Sequence, residues 1–275
     1  MKGWAHIILV GASIIANAYR DKVVEWSISE LEGLLAKGEV NKSQLISKLL
    51  GFVSVNPERA SAELNTCMNL ILQGYQRGRQ QWVYLLLSDT DVGRVCAEVL
   101  RRFLERFSHR DLNGELSVEK LVEIKYLGNP ERFGDGLANL YGTIIDHVRY
   151  HKQLGDVVFI HATGGFKPEA AIAILAANSP GTGAPVFYIH EHFNKTIRIP
   201  AIPIKFRPWK SFTELMNYLL IVKSSSRTVL EKKFGGDAVD HAIRLGWIDE
   251  KDGWVSPTLM GGLLWRYLQK SLTHK

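Results

Sequence analysis

Two short stretches place glycines, a hydroxyl and a lysine where a strand gives way to a helix. The first is Val10-Gly11-Ala12-Ser13-Ile14-Ile15-Ala16-Asn17, the second His161-Ala162-Thr163-Gly164-Gly165-Phe166-Lys167. Backbone N–H groups at a helix start have no intrahelical partner and carry the positive end of the helix dipole. A glycine turn lets a ligand approach them closely, so such corners suit phosphate and other anions. Ser13 adds a hydroxyl to the first corner and Lys167 a mobile positive charge to the second. Taken singly, Gly11-Ala12-Ser13 is also what an ordinary strand–helix turn looks like, and Ser13 can be a plain helix cap. Two such corners in one chain, the second with a lysine, point to a phosphate or nucleotide ligand. Ser88-Asp89-Thr90 ends another apolar run; helix capping and ligand contact explain it equally.

These corners need a parallel sheet behind them. Strand-like runs fall at 4–10, 82–88, 121–127, 157–161 and 186–190, with helical patterns near 57–78, 91–107, 134–152 and 168–179. That alternation predicts an α/β fold with helices on both faces of a Rossmann-like parallel sheet. Residues 27–50 add one or two amphipathic helices, and Asn56-Pro57 supplies a cap and a first helical residue. The proline-spaced stretch Ile199 to Ile204 predicts an edge strand running into a linker that ends at Pro208. A domain boundary is therefore placed there, giving domains 1–207 and 208–275. The second begins with a capping box at Ser211–Glu214, then helices to Val222, 227–234 and 238–245. A hairpin over 247–255 with an Asp252-Gly253 turn and a last helix from Thr258 follow. This order predicts a winged helix-turn-helix.

At the corners the chain resembles the CRISPR-associated Rossmann-fold (CARF) domains. Val10 to Asn17 looks like their first-strand corner. Ser61-Ala62-Glu63-Leu64-Asn65-Thr66, Leu86 to Thr90, Thr163 to Lys167 and Tyr188-Ile189-His190-Glu191 resemble further blocks of an archaeal branch. Each block is short, and the specificity lies in the ordered set, which covers the first three quarters of the chain. His161 departs from the pattern, standing where the resemblance leads one to expect asparagine. The branch includes ring nucleases, which bind and cut cyclic tetra-adenylate, the second messenger of type III CRISPR defence. The resemblance implies that Gly11, Ala12, Ser13, Asn17, Asp89, Thr90, Thr163, Gly164, Gly165, Phe166 and Lys167 contact the ring, with Ser13 and Lys167 serving the chemistry. The implied reaction is attack of a ribose 2′-OH on its neighbouring phosphorus, which needs no metal and no cofactor. A ring with rotational symmetry suits a homodimer. The alternative is a CARF–winged-helix regulator that holds the ring uncut and contacts DNA. A third possibility is a mononucleotide-using Rossmann enzyme; the lack of a Gly-x-Gly-x-x-Gly signature after the first strand argues against a dinucleotide cofactor.

The bulk properties fit. The 275 residues are 46% hydrophobic and 23% charged, ordinary for a globular chain, and the net charge of +6 is a mild bias toward anionic partners. Cys67 and Cys96 sit in apolar helical patterns as reduced, buried thiols. Lys2, Ile7–Ile15 and Ala16-Asn17-Ala18 imitate a short signal peptide, but a buried first strand explains the run, and no stretch reaches the roughly 20 apolar residues of a membrane helix. A cytoplasmic location is expected. Neither His190/His192 nor His147/His151 has a third ligand in view, so no metal is expected. Arg102 and His109 have the Arg-x6-His spacing of HEPN ribonucleases but fall inside the Rossmann region and read as surface residues. On the third helix of the C-terminal domain, Asp237 and Asp240 weigh against duplex DNA and favour assembly, as do Trp247, Trp254 and Trp265.

Overall fold

The computed structural model describes residues 2–190, 195–202 and 208–273. Glu191 and His192, half of one histidine pair, and 203–207 of the proline-rich linker lie outside them. The chain divides into one unit of Met1–Asn178 with Thr182–Ile202, and a second of Ser179–Gly181 with Pro203–Lys275.

The larger unit contains, in order, β1 (Trp4–Val10), α1 (Ser13–Arg20), α2 (Ile28–Ala36), α3 (Lys42–Val55), α4 (Pro57–Ala60), α5 (Ala62–Gln76), β2 (Gln81–Ser88) and α6 (Asp91–Asp111). There follow β3 (Leu116–Val118), β4 (Val122–Ile124), α7 (Phe133–Gln153), β5 (Val157–His161), α8 (Lys167–Ala177), β6 (Val186–His190) and β7 (Lys195–Ile199). The sheet order is β3-β2-β1-β5-β6-β7, with β4 also paired to β2. All pairs are parallel except β6 with β7. The α/β class expected from the alternation is present. β1 is buried along its whole length because strands flank both its edges and helices, among them α5, α6 and α7, pack against it. The chain leaves β1 toward β2 and later returns to β5 on its other side. The order thus reverses between β1 and β5, and the crevice above their C-terminal ends is where open α/β sheets bind ligands.

Several elements differ from expectation. The helix predicted over 57–78 is two helices, because Ser61 is extended (φ −137°, ψ 124°) and caps α5 by accepting Leu64 N–H at 3.2 Å. The strand predicted over 121–127 is only Val122–Ile124. It stops because Asp89 draws Tyr126 N–H (2.7 Å) and Gly128 N–H (2.6 Å) into a turn, leaving Tyr126 at φ 69°. β3 and β4 share one edge of β2, pairing with its first and second halves. The final edge strand is Lys195–Ile199 rather than 199–204, ending at Pro200, which has no N–H for the ladder.

One sheet face packs Ile8, Val10, Val83, Leu85 and Leu87 against Ile14, Leu64, Cys67 and Val95. Beside them runs a polar thread. Gln81 Nε2 donates to Ile71 O (2.9 Å), so its oxygen accepts from His6 Nε2 (3.0 Å). His6 Nδ1 then accepts from His161 Nε2 (3.1 Å). Burial pulls His6 down to about 4, and burial with repulsion from His6 takes His161 well below the usual range, so both rings are neutral. His161 is a core residue tying three strands, stacked on Phe187.

The smaller unit contains α9 (Lys210–Val222), β8 (Ser225–Ser226), α10 (Arg227–Phe234), α11 (Gly236–Arg244), β9 (Ile248–Lys251), β10 (Trp254–Pro257) and α12 (Leu259–Thr273). Its antiparallel sheet has the order β8-β10-β9, and the β9–β10 hairpin turns on Asp252 (φ 52°) and Gly253 (φ 75°). Phe212, Leu215, Leu230, Val239, Val255 and Trp265 form its core. The expected capping box at Ser211–Glu214 does not form: the helix starts at Lys210, Trp209 is the cap residue, and Ser211 lies within the first turn. Trp265 is buried, whereas Trp254 is 58% exposed.

Candidate functional site

The two glycine corners meet. A Cβ on Gly11 would overlap the Gly165 amide nitrogen and lie 3.2 Å from Gly164 Cα. A Cβ on Gly164 would overlap Leu9 O and come within 2.5 Å of Glu63 Oε1 and 2.7 Å of Gly11 N. Gly165 has φ +84°, and the space its missing side chain leaves is taken by the Glu169 carboxyl. The glycines at 11 and 164 are therefore required by close approach of two backbones, and the one at 165 also by its positive φ.

Glu63 fastens this junction. It lies in the first turn of α5, where the break at Ser61 aims it at the end of β1, and it is 1% exposed. Its Oε1 accepts Gly11 N–H (2.8 Å) and its Oε2 accepts the hydroxyls of Ser13 (2.5 Å) and Ser61 (2.7 Å). Ser13 Oγ in turn accepts Ala62 N–H (3.1 Å). The Gly11 amide is thus spent on a carboxylate. Thr163 Oγ1 accepts Ile189 N–H (3.0 Å) and bonds Thr66 Oγ1 (2.7 Å), which also donates to Ala62 O (2.7 Å).

Above the junction lies a cavity of about 750 Å³. Ser13, Asn17 and Arg20 reach it from α1, Asn56, Glu58 and Arg59 from the start of α4, Ala62 and Asn65 from α5, and Thr163 and Ile189 from the sheet ends. Arg20 and Arg59 are held side by side by Asp21, at 3.2 and 3.1 Å. Asn17 Nδ2 donates to the carbonyls of Arg59 and Ala60, which fixes α1 against α4.

Of the residues expected to contact the ligand, the structure brings Ser13, Asn17 and Thr163 into this cavity. Gly11, Gly164 and Gly165 form its floor junction next to Ala12. Phe166 and Lys167 lie at the exposed start of α8, which has no side-chain cap. Phe166 is 67% exposed and edge-on to Phe133 at 6.4 Å, and Lys167 makes no ion pair among the described residues. Behind them, burial raises the Glu169 carboxyl to about 7. Asp89 and Thr90 do not line the cavity: Asp89 anchors the 126–128 turn and Thr90 caps α6 through Gly93 N–H (3.0 Å). Arg20, Asn56, Arg59 and Asn65 in the cavity lining and Glu63 at the junction were not among the expected ligand contacts. Ser13, Asn17 and Arg20 share a helical spacing that could have found the first arginine; nothing local marked Arg59.

Elsewhere, His147 Nδ1 contacts Thr143 O (2.8 Å), while His151 bridges Asp156 (2.9 Å) and Tyr84 (2.8 Å). No group of three or more metal-ligating side chains occurs among the described residues. Arg102 pairs with Glu98 on α6 at 2.6 Å. Cys67 and Cys96 are free, and burial pushes both thiols up. Among the described residues no helix is long and apolar enough to cross a membrane.

The family model described as CRISPR-associated protein (Cas_APE2256) matches residues 58–202, more than half of the chain. Among solved structures, Can2 from Sulfobacillus thermosulfidooxidans, in complex with cyclic tetra-adenylate, is similar at 14% identity and a TM-score of 0.27. That match covers 74% of this chain and 60% of Can2. A superposition this loose leaves the fold assignment to the sheet order.

Proposed function

The chain belongs to the CRISPR-associated Cas_APE2256 family, and from that premise we propose that it is a ring nuclease acting on cyclic tetra-adenylate in the cytoplasm. The observation that carries this is the junction of the two glycine corners at the switch point, with Ser13 and Thr163 lining one cavity beside two arginines. A homodimer would set two such cavities about a twofold axis, matching a ring of four nucleotides.

The chemistry is transesterification within the substrate. A ribose 2′-oxygen attacks phosphorus, the bond to the 5′-oxygen breaks, and a 2′,3′-cyclic phosphate remains. The nucleophile belongs to the ring, so the protein must hold attacking and leaving oxygens in line and stabilise the charge that builds on the phosphoryl oxygens. Ser13 holds the ribose. Lys167, through its ammonium and its own N–H at the start of α8, faces the phosphate, Arg20 and Arg59 draw in the anion, and the exposed Phe166 ring offers an adenine a stacking surface. No metal is needed for any of these steps.

The test is incubation of the purified protein with cyclic tetra-adenylate in excess EDTA, with products resolved by chromatography. Linear di-adenylate ending in 2′,3′-cyclic phosphate is expected. A ring bound stoichiometrically but recovered intact would favour the messenger-responsive regulator. Cleavage lost to EDTA and restored by a divalent ion would overturn the substrate-nucleophile account. The element order of the smaller unit, a helix, a short strand, two helices, a hairpin and a closing helix, supports a winged helix-turn-helix. Its α11 carries Asp237 and Asp240, the latter engaged by Arg227, which supports assembly over DNA contact.

A further inference from the structure

We propose that Glu63 is the proton acceptor of the corner, a positioning residue that works on the reacting ribose through Ser13. This rests on the cleavage function proposed above. Glu63 comes from the first turn of α5, far in sequence from both glycine corners, yet it touches both: Oε1 holds Gly11 N–H and fills the space that a Gly164 side chain would need. Its Oε2 takes the Ser13 hydroxyl at 2.5 Å.

The hydrogen-bond inventory of Ser13 gives this contact a direction. A hydroxyl has one proton to donate and two positions at which to accept. The Ser13 proton is committed to Glu63, and one accepting position is filled by Ala62 N–H at 3.1 Å. One accepting position is left, on a side chain that lines the cavity. A ligand atom that meets Ser13 there must therefore be a donor. A phosphate oxygen cannot be; a ribose 2′-OH can. The contact that fits this serine is thus the one that also removes the nucleophile's proton.

The step balances. The 2′-OH proton passes to Ser13 Oγ as the Ser13 proton passes to Glu63 Oε2. The 2′-oxygen forms its bond to phosphorus. The 5′-oxygen leaves with the electron pair of the broken bond and takes a proton from water, and Glu63 later returns its proton to solvent. Ser61, the other hydroxyl on Oε2, donates to the same carboxylate at 2.7 Å and holds it toward Ser13.

A double-mutant cycle tests this, with single-turnover cleavage of saturating cyclic tetra-adenylate and equilibrium affinity measured for wild type, Glu63→Gln, Ser13→Ala and the double variant. Removing general-base help slows a reaction by roughly 100-fold or more. Glu63→Gln is expected to lose about that much rate while its affinity stays within about threefold. In the Ser13→Ala background the same change should cost almost nothing further, because the relay is already broken. A carboxylate that merely props the corner would give losses that multiply, or losses in affinity that match those in rate; either result overturns the proposal, as does wild-type cleavage by Glu63→Gln. Should Glu63→Gln melt well below wild type, Glu63→Asp carries the same cycle, and its loss should again vanish when Ser13 is alanine. If wild type binds the ring and never cuts it, the ring-nuclease function itself has failed. If wild type cuts and the losses multiply, only the role of Glu63 falls.

Discussion

Replacing Gly11 by alanine tests the junction on which the site stands. Gly11 has no positive φ, so alanine is not excluded by its backbone angles. The obstacle is space: the new methyl would overlap the Gly165 amide nitrogen and press on Gly164 at 3.2 Å. Both neighbours are backbone, so no side chain can swing aside. Forcing a methyl into packed surroundings costs about 1–3 kcal/mol. In a folding unit of about 150–250 residues each kcal/mol shifts the melting temperature by about 2–4 °C, so a drop of roughly 2–12 °C is expected. Gly51 is the control. It is an exposed residue inside α3 with nothing within 4 Å of its added Cβ, and alanine there should stabilise by about 0.5–1 kcal/mol through the unfolded chain. The assay is thermal unfolding of both variants beside wild type, with ring cleavage measured below the transition. Gly11→Ala should melt low and cleave slowly, because the displaced turn carries Lys167. A Gly11→Ala protein that melts with or above wild type while Gly51→Ala behaves as expected would refute the contact between the corners.

Three further outcomes are expected. Lys167→Ala should slow cleavage at least about tenfold, since one charge contact at the transition state is worth about 1.4 kcal/mol or more; an unchanged single-turnover rate would remove Lys167 from the mechanism. Glu169 binds its proton more tightly folded (about 7) than unfolded (4.5), so its contribution to stability should rise as pH falls from about 7 to 4.5, by about 3 kcal/mol in total. His6, lowered to about 4, acts in the opposite sense, but it is common to wild type and Glu169→Gln, so unfolding curves of the two that stay parallel across this range would contradict the burial of Glu169. Deleting residues 209–275 should weaken the proposed dimer, measured by sedimentation, or its pocket, measured by affinity for the ring; tight sequence-specific DNA binding by the intact chain at physiological salt would favour the regulator instead.

The sheet was legible because its strands are continuous apolar runs and its turns carry glycine. Trp4–Val10 and Val157–His161 appear where periodicity placed them. What could not be read was set by single hydrogen bonds between distant segments. Ser61 breaks a helix whose sequence pattern is continuous, and nothing local announces that its neighbour Glu63 will bond Gly11 and Ser13. Asp89 is a ligand contact only by the resemblance, and nothing local announces that its carboxylate also closes a turn beginning at residue 126. His161, where the resemblance leads one to expect asparagine, bonds His6, 155 residues away, a contact visible only in the sheet. Arg59 reaches the cavity because a short helix was folded back on α1, and chain spacing does not encode that.

The central position of β1 also orders the birth of the protein in time. β1 is made well before one of its two neighbours, β5, which begins at Val157. At about 5–20 residues per second, the roughly 150 intervening residues take about 7–30 s to synthesise. Throughout that interval one edge of β1 has no strand to pair with, its amide and carbonyl groups open to any other extended chain. The corner that holds Ser13 is likewise half built until Gly164 and Gly165 arrive. Cellular yield of this protein will therefore respond to elongation rate and to chaperones that shield strand edges, and a circular permutant that delivers β5 soon after β1 should shorten the exposed interval.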